Sequence, residues 1–183
     1  LPTIEKIKQR FDVIEVDHGT DYRLRTLEKM EIYLVPHDDA AGRKMAEDFR
    51  RLAASEGRGG SVEILGRNID VVRQAPGVIW FDFASLCGGP RSQNDYLEIA
   101  REHHTGILSN VPKRLVGNAS EARRFTWLID VLYDHRVKLI MSAAAPAAEL
   151  YRDGHNAHEF VRTVSRLMEM RTRDYLAEAH RPE

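Results

Sequence analysis

The stretch that decides the fold runs from Gly77 to Tyr96 and reads GVIWFDFASLCGGPRSQNDY. Its first part, Val78 to Phe83, is a short apolar run of branched and aromatic residues that only Asp82 interrupts. Such a run, closed by a glycine-rich turn, is typical of a buried strand rather than a helix. Because side chains alternate across a strand, Trp80 and Asp82 are predicted to share one face.

A helix is predicted directly after this strand. Residues 88–92, Gly-Gly-Pro-Arg-Ser, form a turn, and Ser92 with Asp95 three residues later approximates a capping box. A strand, a glycine-rich turn and a helix, with a carboxylate at the end of the strand, are the parts from which parallel α/β folds build ligand sites. The stretch therefore predicts an α/β fold with its site at the edge of a sheet.

The chain from Gly77 onward repeats this alternation of strands and helices. Further strands are predicted at Thr105–Ser109 and Val137–Met141, and helices at Glu121–Arg136 and about Ala157–Glu178. This order predicts a parallel βαβαβα unit over about residues 77–183, with right-handed crossovers.

The first part of the chain, residues 1–76, has a less regular pattern and predicts a small α+β segment. We expect it to pack with residues 77–183 as one compact body. Its predicted elements are a helix at Leu1–Arg10, a brief strand at Val13–Val16, an extended stretch at Asp21–Arg25, a strand at Ile32–Val35, a helix from Asp38 or Asp39 to about Ser55, and a β-hairpin over Val62–Val72 with a three-residue turn, Gly66–Asn68.

The composition limits the class of protein. The 183 residues are 43% hydrophobic and 30% charged, which is ordinary for a globular protein, and the net charge of −1 argues against nucleic acid as a partner. No apolar run approaches the length that spans a membrane. The single cysteine, Cys87, excludes an internal disulfide and fits a reducing compartment, so a cytoplasmic location is predicted. A buried Cys87 is favoured over a nucleophile.

Polar residues near the predicted strand ends are the candidate site. In a parallel sheet these ends meet at one rim, where we expect the residues Asp82, Arg91, Ser109, Asn110 and Ser142. Asp82 would orient a water or a metal ion there, or would accept hydrogen bonds from the turn that follows it. The turn at 88–92 would present amides to a phosphate, or would be an ordinary tight turn.

The sequence lacks the motifs of a zinc protease and of a phosphate-binding loop, and it has one pair of arginines that could bind an anion. The histidines His155 and His158 lack the spacing of a zinc protease, so no metal site is predicted. No Gly-x-x-x-x-Gly-Lys-Ser/Thr occurs, so the chain alone lacks the minimum apparatus for hydrolysing a nucleoside triphosphate. Arg162 and Arg166 lie one helical turn apart and would contact a phosphate or a partner subunit, or would pair along their own helix with the acidic residues Glu159 and Glu169.

Three stretches together carry a resemblance that spans nearly all of the chain. They are FDVIEVDHGTDYRLR at 11–25, WFDFASLCGGPRSQNDYL at 80–97, and RRFTWLIDVLYDHRVKLIMSA at 123–143. These residues resemble the C-terminal half of the ZapE-type P-loop ATPases, bacterial cell-division ATPases with mitochondrial relatives. The loop Lys113–Asn118 departs from the pattern of that family, which leaves the role of this loop open.

The resemblance implies a three-layer fold like that of P-loop ATPases and an intact protein that hydrolyses ATP with Mg²⁺. The Walker A and Walker B motifs would then lie upstream of Leu1, in a missing N-terminal half, and this truncated chain alone would be inactive and hold no cofactor. Implied partners are protein clients of the division machinery and further copies in a homo-oligomer. Arg23, Arg162 and Arg166 are the candidates to reach a phosphate, in cis or across a subunit interface. The alternative is an autonomous client-binding module without catalysis.

Overall fold

A six-stranded mixed sheet forms the centre of the protein in the computed structural model, which describes residues 21–113, 119–152 and 157–183. The strands, in chain order, are β1 Tyr33–Leu34, β2 Arg58–Ile64, β3 Arg67–Ala75, β4 Val78–Asp82, β5 Thr105–Val111 and β6 Lys138–Ala143. The helices are α1 (residues 21–29), α2 Asp39–Ala53, α3 Phe83–Cys87, α4 Gln93–Glu102, α5 Ala119–Asp134, α6 Ala157–Glu169 and α7 Arg173–Ala177, with a 3₁₀ turn at Ala147–Glu149. The coarse prediction of an α/β fold is confirmed.

Four neighbouring strands of the sheet are parallel, and two at one edge are antiparallel. The spatial order is β1-β6-β5-β4-β3-β2. Parallel pairing joins β1 to β6, β6 to β5 and β5 to β4, while the hairpin of β2 and β3 joins β4 in the antiparallel sense. Asp82 is in register with Ser109, and Leu34 with Ser142. The carboxyl ends of the four parallel strands therefore lie along one edge.

The two faces of β4 contribute to two different hydrophobic cores, as the alternation of its side chains predicts. Trp80 faces α2, where its ring lies 6.4 Å from that of Phe49. Ile79 and Phe81 face the other way, into the larger core that α3, α4, α5 and α6 cover. Because both faces of β4 are buried, the strand reads as a continuous apolar run.

Residues 21–29 are helical, so the prediction of an extended stretch at Asp21–Arg25 is wrong. Leu24 and Leu27 lie one helical turn apart and pack on the core beside α2. The prediction failed because only Leu24 of these two residues lies within the stretch Asp21–Arg25, too short a segment to show the helical period. The predicted helix Leu1–Arg10 and strand Val13–Val16 lie outside the described residues.

Three other local predictions need correction. The hairpin turns at Leu65 and Gly66, both in the left-handed region with φ of 49° and 79°, which suits a two-residue turn rather than the predicted three-residue one. The strand at Val78 stops at Asp82, whose carboxylate accepts from the Ala84 amide at 3.1 Å and caps α3. The predicted last helix is interrupted, because Thr172 caps a separate α7.

Candidate functional site

Four of the predicted rim residues do meet at the carboxyl ends of β4, β5 and β6. Asn110 Nδ2 donates to Asp82 Oδ1 at 2.6 Å, and the Asn110 amide donates to Ser142 Oγ at 3.0 Å. Ser109 lies beside them, where its Oγ accepts from Trp80 Nε1 at 3.1 Å. Ser109 and Ser142 are buried, whereas Asp82 is half-buried and Asn110 is exposed.

The backbone of Asn110 explains how one residue reaches two strands. The pairing of β5 with β6 shifts register between Leu108 and Val111, and Asn110 between them has φ of 66°. Asparagine tolerates this left-handed conformation better than most residues, and a bulge of this kind redirects a side chain at the end of a strand. The irregularity turns the Asn110 amide toward β6 and its side chain toward β4.

A groove of about 590 Å³ opens in front of this rim. Besides Asp82, Ser109 and Asn110, its polar lining comes from the start of α2 and the turn before it, through His37, Asp38, Asp39 and Arg43. His37 Nδ1 is buried without a hydrogen-bond partner among the described residues. The volume is that of a site for a small polar ligand.

The sequence did not reveal the contribution of the first strand to this rim. It predicted a strand ending at Pro36 and a helix cap at Asp38 or Asp39, and the Asp38 carboxylate does accept from the Ala41 amide at 2.9 Å. Parallel pairing of β1 with β6 brings this cap to the same edge as Asp82. In the part of the chain that the structure describes, no three histidine, cysteine, aspartate or glutamate side chains are grouped to hold a metal ion.

Arg91 does not join the other rim residues in the described structure. Its guanidinium donates to the Ser85 carbonyl at 2.9 Å and to the adjacent Pro90 carbonyl at 2.9 Å. The Gly88 amide donates to the Ala84 carbonyl, and the Ser92 amide donates to Asp95. Since these groups already have partners inside the turn, the geometry favours the ordinary tight turn over a phosphate cradle.

Arg162 and Arg166 share one carboxylate on the neighbouring helix. Arg162 donates to Asp130 Oδ2 at 3.1 Å, and Arg166 donates to Asp130 Oδ1 while it lies over the Tyr133 ring, 4.9 Å from the centroid. The interpretation that they pair along α6 is therefore wrong, and Glu169 instead accepts from the Tyr133 hydroxyl at 2.7 Å. The side chain of Arg162 is 63% exposed and that of Arg166 is 25% exposed.

Arg23 lies at the opposite edge of the sheet, near the amino ends of β5 and β6. It lines a small cavity with His104 and Lys138. Burial, with a contribution from the positive charge of Arg23, lowers the pKa of His104 to about 4, and burial lowers the pKa of Lys138 to about 8. The three candidate arginines thus occupy two separate places, and neither is the rim at Asp82.

Cys87 is fully buried, as expected of a small hydrophobe. Its sulfur lies 3.7 Å from the Tyr96 hydroxyl, and burial raises the pKa of the thiol to about 12. Burial and the raised pKa of this thiol favour a packing role over that of a nucleophile.

A sheet with a polar rim at the carboxyl ends of its parallel strands defines an α/β domain of the ligand-binding kind. The chain belongs to the AFG1-like ATPase family, whose family model matches residues 1–179. No described helix is both long and apolar enough to cross a membrane.

Three curated relatives illustrate the family. The chain is 38% identical to the Cell division protein ZapE of Escherichia coli over 98% of this chain and 48% of ZapE. It is 35% identical to an uncharacterized protein of Schizosaccharomyces pombe over 82% of this chain and 34% of that protein. It is 30% identical to the Lactation elevated protein 1 homolog B of Danio rerio over 96% of this chain and 42% of that protein. The chain spans about half the length of these relatives or less, and no solved structure matches it.

Proposed function

We propose that this chain is the C-terminal part of a ZapE-like ATP hydrolase that acts on protein clients of the division machinery. The observation that carries the proposal is the 38% identity to the Cell division protein ZapE over 98% of the chain. ATP hydrolysis, use of Mg²⁺, a cytoplasmic location and assembly into a homo-oligomer are parts of this proposal for the intact protein. Membership of the AFG1-like ATPase family supports them.

The fold supports a related proposal about organisation. We infer that residues 77–183 form a three-layer unit like that of P-loop ATPases and that residues 1–76 pack with them as one body. Strand β1 and the hairpin of β2 and β3, which belong to the first segment, pair with β6 and β4 of the second in one sheet. Helices lie on both faces of that sheet.

The residues of this chain do not fit ATP and Mg²⁺ by themselves. The sequence contains no Gly-x-x-x-x-Gly-Lys-Ser/Thr, and the amides of Gly88 and Ser92 in its glycine-rich turn already have partners. We therefore assign the phosphate-binding and Mg²⁺-binding groups to the part of the relatives that this chain does not span. The isolated chain mixed with a labelled ATP analogue should show neither tight binding nor hydrolysis, and micromolar binding or turnover would overturn this assignment.

Arg162 is the candidate whose position best suits contact across a subunit interface. Its side chain is 63% exposed and reaches Asp130 through one nitrogen, so the rest of the guanidinium is open to a partner. Arg166 is more enclosed, and Arg23 lines a cavity. An arginine that stabilises the transition state of phosphoryl transfer contributes about 10³–10⁵ in turnover, with a smaller effect on nucleotide binding.

The test uses the intact protein and its steady-state ATP turnover. Arg162→Ala should lower kcat by at least about 10³ while KM changes little, if the arginine acts directly in phosphoryl transfer. Arg173→Ala is the matched control, because Arg173 is also an exposed arginine, at 79%, and pairs with a single carboxylate, Glu28, at 2.6 Å. The same assay applies to Arg23→Ala and Arg166→Ala. Unchanged turnover in all three variants would exclude a direct role of these arginines in phosphoryl transfer.

One observation favours the alternative of a client-binding module. Val161 and Met168 on α6 are 65% and 54% exposed, and their spacing of seven residues places them on one face of the helix. In the intact protein, Val161→Asp with Met168→Asp should leave ATP turnover unchanged and abolish rescue of division in a deletion strain. Full rescue by this variant would remove α6 as the client-binding surface.

A further inference from the structure

The amino-terminal edge of the sheet carries a small cavity that the proposed ATPase activity does not use. Its volume is about 110 Å³, too small for a nucleotide but large enough for a simple ion. It is enclosed by α1, by the starts of β5 and β6 and by the chain after α7. The residues that carry charge or titrate in its lining are Arg23, His104, Lys138, Glu178 and His180.

Among the described residues, one carboxylate lines this cavity, that of Glu178, and it already has two cationic partners. Glu178 accepts from Arg136 Nε at 2.8 Å and from Arg181 Nη2 at 2.9 Å. Glu178 also attracts Lys138, so this one carboxylate is shared by three cations. No carboxylate among the described residues of the lining is left to pair with Arg23. Among the residues that the structure describes, Arg23 makes no hydrogen bond or ion pair, although its side chain is half-buried.

Lys138 contributes positive charge rather than a free donor. It is only 7% exposed, and its Nζ donates to the carbonyls of Arg136, Tyr175 and Glu178 at 2.9, 3.0 and 2.7 Å. These bonds use all three protons of the ammonium group and hold its charge at the wall of the cavity. The guanidinium of Arg23 is the group whose donors remain open.

The pKa of His104 responds to this excess of positive charge. The pKa of His104 falls to about 4 through burial and through the positive charges of Arg23, His180, His103 and Lys138. His104 Nδ1 lies 2.8 Å from Thr105 Oγ1, and His180 Nε2 donates to the Ala100 carbonyl at 2.6 Å, so both rings have fixed orientations. A bound anion would relieve the repulsion among these groups.

We propose that this cavity is a binding site for a small tetrahedral oxyanion, of the size of inorganic phosphate, which the Arg23 guanidinium contacts directly and Lys138 holds by its charge. The inference does not depend on the proposed ATPase activity, because all the residues that would bind the anion lie in this chain. The oxyanion would bind Arg23 at the edge of the sheet opposite to the one that holds Asp82. A guanidinium suits such a ligand because its planar fork matches the geometry of two phosphate oxygens.

The test follows the ring signals of His104 and His180 by NMR while inorganic phosphate replaces chloride at constant ionic strength. The unmodified chain should show saturable shifts of both ring signals. Arg23→Gln should weaken the affinity at least about tenfold, since it removes charge-assisted hydrogen bonds. Arg25→Gln is the matched control, because Arg25 is an exposed arginine on the same helix that bonds only to the Asp21 carbonyl, and it should bind phosphate normally.

Three results would overturn the proposal. The first is the absence of saturable shifts in the unmodified chain. The second is equal affinity in the unmodified chain and in Arg23→Gln, which would mean non-specific screening. The third comes from a parallel titration with ATP, because a much tighter association with ATP than with phosphate would assign the cavity to a nucleotide instead. Circular dichroism of each variant checks that the fold is retained.

Discussion

The ion pair between Arg67 and Asp95 should be a measurable source of stability, because it joins the hairpin to the helix that follows β4. Asp95 is fully buried, and Arg67 Nη2 donates to both of its carboxylate oxygens at 2.7 and 2.6 Å. The same carboxylate accepts from the Ser92 amide at 2.8 Å and completes the capping box of α4. One buried charge thus depends on partners from two elements.

The magnitude follows from the burial of the two partners. Removing one member of a fully buried pair costs about 3–5 kcal/mol, whereas an exposed pair contributes about 0–1 kcal/mol. Here Asp95 has no exposure and Arg67 is 44% exposed, so water can partly replace the guanidinium in a truncated variant. We expect Arg67→Ala to lower the free energy of unfolding by about 2 kcal/mol, between these limits. For a chain of this length that is a fall of about 4–8 °C in Tm.

The assay is urea unfolding followed by tryptophan fluorescence, applied as a double-mutant cycle with Arg67→Ala and Asp95→Ala. The coupling energy should be about 1–2 kcal/mol, since each partner loses most of its role when the other is absent. Arg101→Ala is the control, because Arg101 pairs with Glu98 on the surface of the same helix at 3.2 Å and should cost less than about 0.5 kcal/mol. A coupling energy no larger than the loss of unfolding free energy in Arg101→Ala would refute the reasoning.

Two further predictions concern the region around His104. Gly77 has φ of 80°, and a Cβ there would lie 2.5 Å from His104 Nε2. Gly77→Ala should therefore lower the free energy of unfolding by about 2 kcal/mol or more. Gly42 lies inside α2, where a Cβ would meet nothing within 4 Å, so Gly42→Ala should raise the free energy of unfolding by up to about 1 kcal/mol. Equal effects in urea unfolding would contradict this. Because the pKa of His104 falls from 6.5 to about 4 on folding, the unfolded chain binds more protons between these values, and stability should drop as the pH is lowered from 6.5 toward 4. His104→Gln should reduce that slope, and an unchanged slope in urea midpoints would contradict the assignment.

Local patterns predicted the regular elements because their physical causes are local. The apolar run at Val78, the capping box of Ser92 and Asp95, and the apolar stripe of α5 all lie within one element and its immediate neighbours. The alternation along β4 also placed Trp80 and Phe81 in different cores correctly. Those features need no knowledge of distant contacts, so the sequence alone sufficed for them.

The partners of charged side chains could not be predicted in the same way. For Arg162 and Arg166 the sequence left open a phosphate, a partner subunit or pairing along their own helix. The packing of α6 on α5 instead brings them to Asp130, more than thirty residues away in the chain. Arg23 was a candidate for a phosphate, but its position near His104 and Lys138 follows from how α1 packs across the edge of the sheet. Such contacts depend on tertiary packing, which no periodicity encodes.

The two edges of the sheet differ in how completely their polar groups are satisfied. At the carboxyl edge, Asn110 donates to Asp82 and to Ser142. The Ser109 hydroxyl accepts from Trp80, so the polar side chains of this edge largely hold the strand ends together. At the amino edge, the positive charge of Arg23 faces a cavity with no free carboxylate in its lining. A ligand gains most where a charge is enclosed and unpaired, since there it replaces water instead of an existing partner. Within the described residues, anion binding is therefore favoured at the edge opposite to the one where parallel sheets usually hold their ligands.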